Sequence, residues 1–472
     1  MVDSASPPLQ PPIATVLQDG PHGAEGPHAT EGTSTHSPRQ LGIFSIAGLI
    51  VSGHYGMGFL MGTAESSVEW GTAGSLYPIA LAAGTLVLLP IARLYWQDVA
   101  LLWTLLGDRY GRFVQQLSSV MSWLAFTGVM GAQVAAGAAI LSVLGLPRLG
   151  ATVGLAIALG VLSVLPLQRL SWVLRGLLLV SLLALGTALL RLGGLPHYVQ
   201  APTTFVEALG TSVSWGETLG VFLTATMTVP IDMKFQQFVV QGRSPRVVSW
   251  GCVLATIAVL LLAAVPSVAV ATAQESGILP DAIAPREIIP YVLGWLGGGL
   301  HQPLGIVLVG TLLVPALGAG STVLRIQTQL VMNSLPLPPS AQGGTQRWRG
   351  GLIRGVNASL AMMLALKGGS IIGSMVLFYA AYGAVVWWPF MAYLLGRCGL
   401  IQLSPLAVQL SAGMAAIASI GTLVLTQWEP AIALAGSAEL TVLALGLGFG
   451  AVALGAGQLI TLWRPRAQQM QI

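Results

Sequence analysis

The chain has 472 residues, of which 54% are hydrophobic and only 8% charged. A soluble domain keeps about a quarter of its residues charged to wet its surface, so this composition excludes a soluble fold and makes the lipid bilayer the main partner. The net charge is +4. The basic residues nevertheless stand a few at a time between apolar stretches, which excludes a nucleic-acid surface and is the pattern of membrane topology signals.

Residues 1–40 are rich in Pro, Gly, Ser, Thr and His and contain no apolar run. They lack the basic start and apolar core of a signal peptide and cannot bury enough apolar surface to fold, so they are expected to be a disordered cytoplasmic tail. His22, His28 and His36 could bind a metal there; a solvated tail is the simpler reading.

From residue 41 the chain is a procession of apolar stretches, each near the roughly 20 residues that a spanning helix requires. The expected spans are 41–62, 72–95, 117–146, 148–166, 172–192, 215–232, 248–272, 303–332, 351–367, 370–395, 404–426 and 431–462. The fold class is therefore an all-α polytopic membrane protein of about twelve transmembrane helices. A ten-helix core over 41–395 and two further helices with a short tail over 396–472 are the expected domains. Cys252 and Cys398 are too few for a disulfide framework or a zinc site and read as reduced thiols.

Assigning Lys and Arg to alternate sides divides them sixteen to four: Arg148, Arg191, Arg286 and Lys367 fall on one side and all others on the opposite side. The positive-inside rule then puts both termini in the cytoplasm of a multi-pass inner (plasma) membrane protein.

Two spans carry helix-breaking patterns. In the first, Ser52-Gly53-His54-Tyr55-Gly56-Met57-Gly58 places three glycines and a histidine at mid-span. In the sixth, Thr224-Ala225-Thr226-Met227-Thr228-Val229-Pro230 places three hydroxyls and a proline there. Proline removes an N–H donor and clashes with the carbonyl four residues back. A lipid-facing helix must satisfy its own backbone, so breaks are tolerated only against protein or a wet cavity. The first and sixth helices lead two successive five-helix sets, and matched breaks point to a transporter binding site. Gly and Pro are also simply common in membrane helices. The remaining ionisable groups Glu65, Glu69, Asp232, Arg325 and Glu439 all read as interfacial, with Asp232 at the inner end of the sixth helix and within reach of Lys234. A nearly charge-free interior suggests a neutral or zwitterionic small-molecule solute. Gln133, Thr226, Thr228, Tyr379 and Tyr382 are candidate pocket residues; Trp387 and Trp388 read as anchors or packing.

Four stretches, SGHYGMGFLMG (52–62), LLWTLLGDRYGRFVQQL with GAQVAAGAAILSVLGLP (101–147), IDMKFQQFVVQGRSPR (231–246) and VPALGAGSTVLRIQTQL (314–330), together resemble the sodium:solute symporter family. The resemblance runs from about Leu41 to about Gly421. It implies the leucine-transporter fold, two inverted five-helix repeats with broken helices 1 and 6, here without the family's extra helix before the core. It also implies a cation site for Na+ at Ser52, Tyr55, Gly318, Ser321 and Thr322, whose carbonyl and hydroxyl oxygens suit a hard cation. The hydroxyls of Ser321 and Thr322 could instead bond their own helix. The solute is expected near His54, Gly56, Gly58, Gln133, Thr226, Thr228 and Tyr382. The chain departs from the family at His54, where relatives carry an aspartate. It departs again at Arg175-Gly176-Leu177-Leu178-Leu179, in place of a Thr-Asp pair and a Gln, and at Gln237, in place of an arginine. Sodium would then rest on neutral oxygens, and His54 opens a proton (H+) alternative.

The expected function is secondary active transport by alternating access, for which the resemblance implies sodium coupling, with a transport-inactive sensor or scaffold as the alternative. No H-E-x-x-H, Gly-rich phosphate loop or paired intramembrane aspartates appear, so neither an enzyme nor a cofactor is expected.

Overall fold

The computed structural model describes residues 39–98, 100–164, 167–280, 282–334 and 344–463. The tail histidines, Arg464 and Arg466 lie outside the described residues. Arg39 and Gln40, assigned by composition to the tail, are instead held in place. Arg39 donates to the Trp96 carbonyl at 2.9 Å, and the Gln40 carbonyl accepts from Arg243 at 2.7 Å.

The first apolar stretch splits into α1 (Ile43–His54), a single π-helical turn (Gly58–Gly62) and α2 (Thr63–Trp70). The chain turns at Gly71, whose φ of +56° is open only to glycine at little cost, and returns as α3 (Leu76–Gln97). A short α4 (Leu102–Tyr110) leads into the long α5 (Arg112–Val143), followed by α6 (Arg148–Leu162) and α7 (Leu167–Arg191). After α7 the chain bends by 97° into α8 (Leu195–Thr211). The sixth stretch is α9 (Trp215–Ile231) and α10 (Met233–Val240). The seventh is α11 (Pro245–Ala263) continued by α12 (Val265–Glu275), and α13 (Ile288–Leu296) lies in the loop that follows. The eighth is α14 (Pro303–Thr311) and α15 (Leu313–Ser334), the ninth α16 (Gly344–Lys367) and the tenth α17 (Ile371–Arg397). Two more, α18 (Pro405–Trp428) and α19 (Ala438–Trp463), complete the chain.

Among the described residues, seven helical stretches are individually long and apolar enough to cross a membrane, and the bent α7–α8 pair makes an eighth. Of the other passes, α1, α6, α9 and α10 are short or interrupted, and α16, though 24 residues long, is less apolar.

Packing relates the two five-helix sets. The second helix of the first set, α3, lies on the broken helix of the second set, α9; reciprocally α11 lies on α1. Likewise α5 packs on α17, and α15 on α7. Such exchanged pairings are what an inverted repeat produces, and the fold is the 5+5 core with helices 1 and 6 broken. The α3–α9 approach is close enough that a Cβ at Gly84 would lie 2.6 Å from Val229 Cγ2. Small residues permit such approach where lipid supplies no hydrophobic drive. Cys252 is buried, Cys398 is exposed, and both are free thiols.

Candidate functional site

The first break falls where the glycines placed it. α1 ends at His54, Tyr55 leaves helical geometry at φ −73°, ψ 62°, and the Gly56 N–H donates back to the His54 carbonyl at 2.7 Å. The helix resumes as the π turn, whose five residues are all buried; π turns recur at functional sites. The hydrogen bonds around His54 fix its tautomer. The Thr85 hydroxyl donates to the Leu81 carbonyl at 3.0 Å, so its oxygen accepts from His54 Nε2–H at 2.9 Å. Nδ1 is then a bare acceptor. It is buried without a partner, as is the Tyr55 hydroxyl. The imidazole lies against Phe235 with ring centroids 4.4 Å apart.

The sixth helix breaks later than the sequence pattern places it. The segment Thr224–Val229 is continuous helix: Thr228 donates to the Thr224 carbonyl at 2.6 Å, and Thr226 to the Ala80 carbonyl at 3.2 Å. The chain opens only at Asp232, with φ −78° and ψ 120°. Pro230 sits in the last turn of α9. The carbonyls freed there are taken up by tyrosines: Tyr95 donates to Pro230 at 2.6 Å and Tyr382 to Ile231 at 2.7 Å. Asp232 caps α10 by accepting from the Lys234 N–H at 3.0 Å, and its other oxygen pairs with Lys234 Nζ at 3.3 Å. Tyr379 lies 3.5 Å from that oxygen. Asp232, read from sequence as interfacial, is thus 3% exposed inside the break. A carboxylate that occupies a helix gap can cap the second half-helix, which a continuous helix would not allow.

A cavity of about 340 Å³ adjoins the first break. Of the candidate residues, Ser52, His54, Tyr55, Gly56, Gly58, Gln133, Gly318 and Thr322 line it together. Four do not. Ser321 is fully buried and donates to the Gly318 carbonyl at 3.3 Å. Thr226 is tied to α3. Thr228 borders a separate space of about 20 Å³ beside Asp232, and Tyr382 points to the Ile231 carbonyl. Thr322 and Ser52 donate to the Gly318 and Leu49 carbonyls, both at 2.9 Å, so only their oxygen lone pairs remain for a ligand. Among the described residues no three His, Cys, Asp or Glu side chains gather around a metal position.

Sequence reading missed Lys234, which lines the cavity with Phe126, Tyr77 and Met375. The signal was present: Lys234 is one of only two lysines in the chain, two residues beyond the break. The interior is therefore not charge-free. On the α2 side the cavity is closed. A Cβ at Gly58 would meet Met375 Sδ at 2.6 Å, and one at Gly62 would meet Ile372 Cγ1 at 2.6 Å. Beyond them Glu65 accepts from Arg286 Nε at 2.7 Å and from the Ile371 N–H at 2.8 Å, while Arg286 also donates to the Gly369 carbonyl.

No protein-family model matches the chain, and no curated protein is similar to it in sequence. Solved structures are similar in fold. A Na+-coupled sialic acid symporter in a substrate-bound outward-open state aligns at TM-score 0.61 and 14% identity, over 90% of this chain and 91% of its own. A manganese transporter from Eremococcus coleocola aligns at TM-score 0.52 and 15% identity, over 87% and 94%. The fold is that of leucine-transporter-like transporters; at this identity the likeness extends to the fold and no further.

Proposed function

We propose that the chain is a secondary transporter that carries a small polar solute across the membrane by alternating access, with sodium as the coupling ion. The observation that carries this reading is the meeting of the first break with α5, α10 and α15 around one cavity, where buried polar groups stand without partners. Half-helix ends and bare peptide groups can hold an ion and a polar solute without a dedicated pair of buried charges. The oxygens of Ser52, Tyr55, Gly318 and Thr322 are the proposed cation donors. The solute would lie against His54, Gly56, Gly58 and Gln133. The ten helices over 41–395 are taken as the transport core and the remainder as an addition to it. With both termini in the cytoplasm of the plasma membrane, as the arginine distribution favours, the cavity faces the cytoplasm and the Glu65–Arg286 contact closes the outside.

Lys234 favours a second reading, a transport-inactive sensor, because an ammonium in the cavity opposes a free cation. Proteoliposomes on a solid-supported membrane separate the two. A panel of amino acids, organic acids and sugars is applied under an inward sodium gradient, then an inward proton gradient. Transport predicts a solute-dependent current or accumulation under one of them. Silence under both, from protein shown to be folded, sinks the transporter reading.

A further inference from the structure

The wall of the cavity carries a single charged side chain among its lining residues, Lys234. Its partner Asp232 is not among the lining residues and is more deeply buried: the carboxylate is 3% exposed, whereas the lysine side chain is 35% exposed. At 3.3 Å the pair is looser than a short charge-assisted contact. An ammonium has three donors, and Asp232 engages one. Lys234 Nζ also lies 4.8 Å from the centroid of the Phe235 ring, the ring against which His54 rests. The ammonium and the imidazole are thereby held within the length of one small molecule.

Of the other orphaned groups on the wall, the Tyr55 hydroxyl can donate or accept, and two are acceptors. His54 Nδ1 is an acceptor by tautomer, and Gln133 Oε1 is an acceptor by nature. Both are buried without partners, at residues only 4% and 3% exposed, and both residues line the cavity. A buried acceptor left unpaired costs the full desolvation of that group. The site therefore asks for hydrogen-bond donors beside the first break and a negative group at α10. Phe59, Phe126, Val129 and Phe238 make much of the remaining wall apolar, and its other polar groups are uncharged hydroxyls. One ammonium, itself partly neutralised by Asp232, matches a monoanion. A phosphate dianion would call for more positive charge than the cavity holds.

We propose that the solute is a small carboxylate that also bears an N–H or O–H donor. Lys234 Nζ binds the carboxylate, and His54 Nδ1 and Gln133 Oε1 accept from the donor. This rests on the transporter reading and adds a consequence to it. The carboxylate neutralises the one positive group in the cavity, so solute and sodium favour each other's binding. Such coupling is reciprocal and typically about 5–150-fold in affinity.

The test uses full-length protein in nanodiscs and matched probes: L-phenylalanine and L-phenylalaninamide, L-lactate and lactamide, 4-hydroxybenzoate and 4-hydroxybenzamide, with inorganic phosphate as the alternative anion. Thermal shift and calorimetry are run with and without sodium. At least one carboxylate is expected to bind about tenfold or more tighter than its amide, more tightly still with sodium. Lys234→Gln removes that preference and Lys234→Arg retains most of it. Should Lys234→Gln fold poorly with Asp232 left unpaired, the double variant Asp232→Asn/Lys234→Gln removes both charges and serves in its place. Amides binding as well as acids, phosphate alone binding, no probe binding, or an acid preference that survives loss of Lys234 overturns the proposal. Lys234-dependent binding without uptake would instead leave the inference standing and remove the transporter; uptake of an amide independent of Lys234 would do the reverse.

Discussion

Glu65 ties three elements together on the closed side of the cavity, and its removal has a calculable effect. One carboxylate oxygen accepts from Arg286 and the other from the Ile371 N–H at the start of α17; both side chains of the ion pair are 15% exposed. Breaking a buried pair by removing one partner costs about 3–5 kcal/mol, because the other charge stays buried. Each hydrogen bond to a charged group contributes about 1.5–3 kcal/mol. Partial exposure and the Gly369 carbonyl, which still receives Arg286, reduce the loss in Glu65→Ala to about 2–4 kcal/mol. If these contacts exist only while this side is shut, the closed-to-open ratio falls roughly 30- to 1,000-fold, at tenfold per 1.4 kcal/mol. The assay is thiol accessibility. Met375→Cys, packed over Gly58, is built with Cys398→Ser to remove the exposed native thiol, and is reacted with an impermeant maleimide from each face in oriented vesicles. Glu65→Ala should speed labelling from the α2 face by at least tenfold. An unchanged rate in protein of native melting behaviour would show that this contact does not hold the cavity shut.

Three further outcomes follow from single contacts. Tyr382→Phe strips the donor from the Ile231 carbonyl and should destabilise the protein by about 1–3 kcal/mol, read as a lower Tm in detergent; an unaltered Tm would mean that carbonyl finds another donor. Gly84→Ala puts a methyl 2.6 Å from Val229 and 2.9 Å from the Thr226 carbonyl; such overpacking costs about 1–3 kcal/mol, and Val229→Ala in the same chain should recover part of the Tm. Ser214→Ala removes the capping box at the start of α9, costing about 1 kcal/mol while leaving solute affinity within twofold, since Ser214 is remote from the cavity lining.

Much of the architecture was legible because lipid imposes long-range rules that a sequence displays directly. Apolar length gave the helix order, and Gly53, Gly56 and Gly58 marked the first break at His54-Tyr55-Gly56, since backbone freedom is a local property. The sixth break was misplaced because Pro230 is a poor ruler. Proline disturbs the turn before it, and here α9 continues through that turn because tyrosines from two other helices, Tyr95 and Tyr382, receive the loosened carbonyls. Only tertiary structure brings them there. Asp232 and Lys234 were read as an interfacial pair for the same reason. Hydropathy sees a charged residue as an end of the helix, whereas the structure has a further helical segment, Met233–Val240, beyond it.

The two breaks, alike in sequence logic, are chemically unlike. At the sixth, the loosened carbonyls meet tyrosine hydroxyls, and Asp232 answers both the N–H and the ammonium of Lys234; what remains unspent is ammonium capacity facing the cavity. At the first, His54 Nδ1 and the Tyr55 hydroxyl have no protein partner at all. A protein selected only for stability would close such valences, since each is expensive in a low-dielectric interior. Their persistence on the wall of the cavity fits the proposed reading, in which the first helix meets the solute's donors and Lys234 of α10 meets its charge.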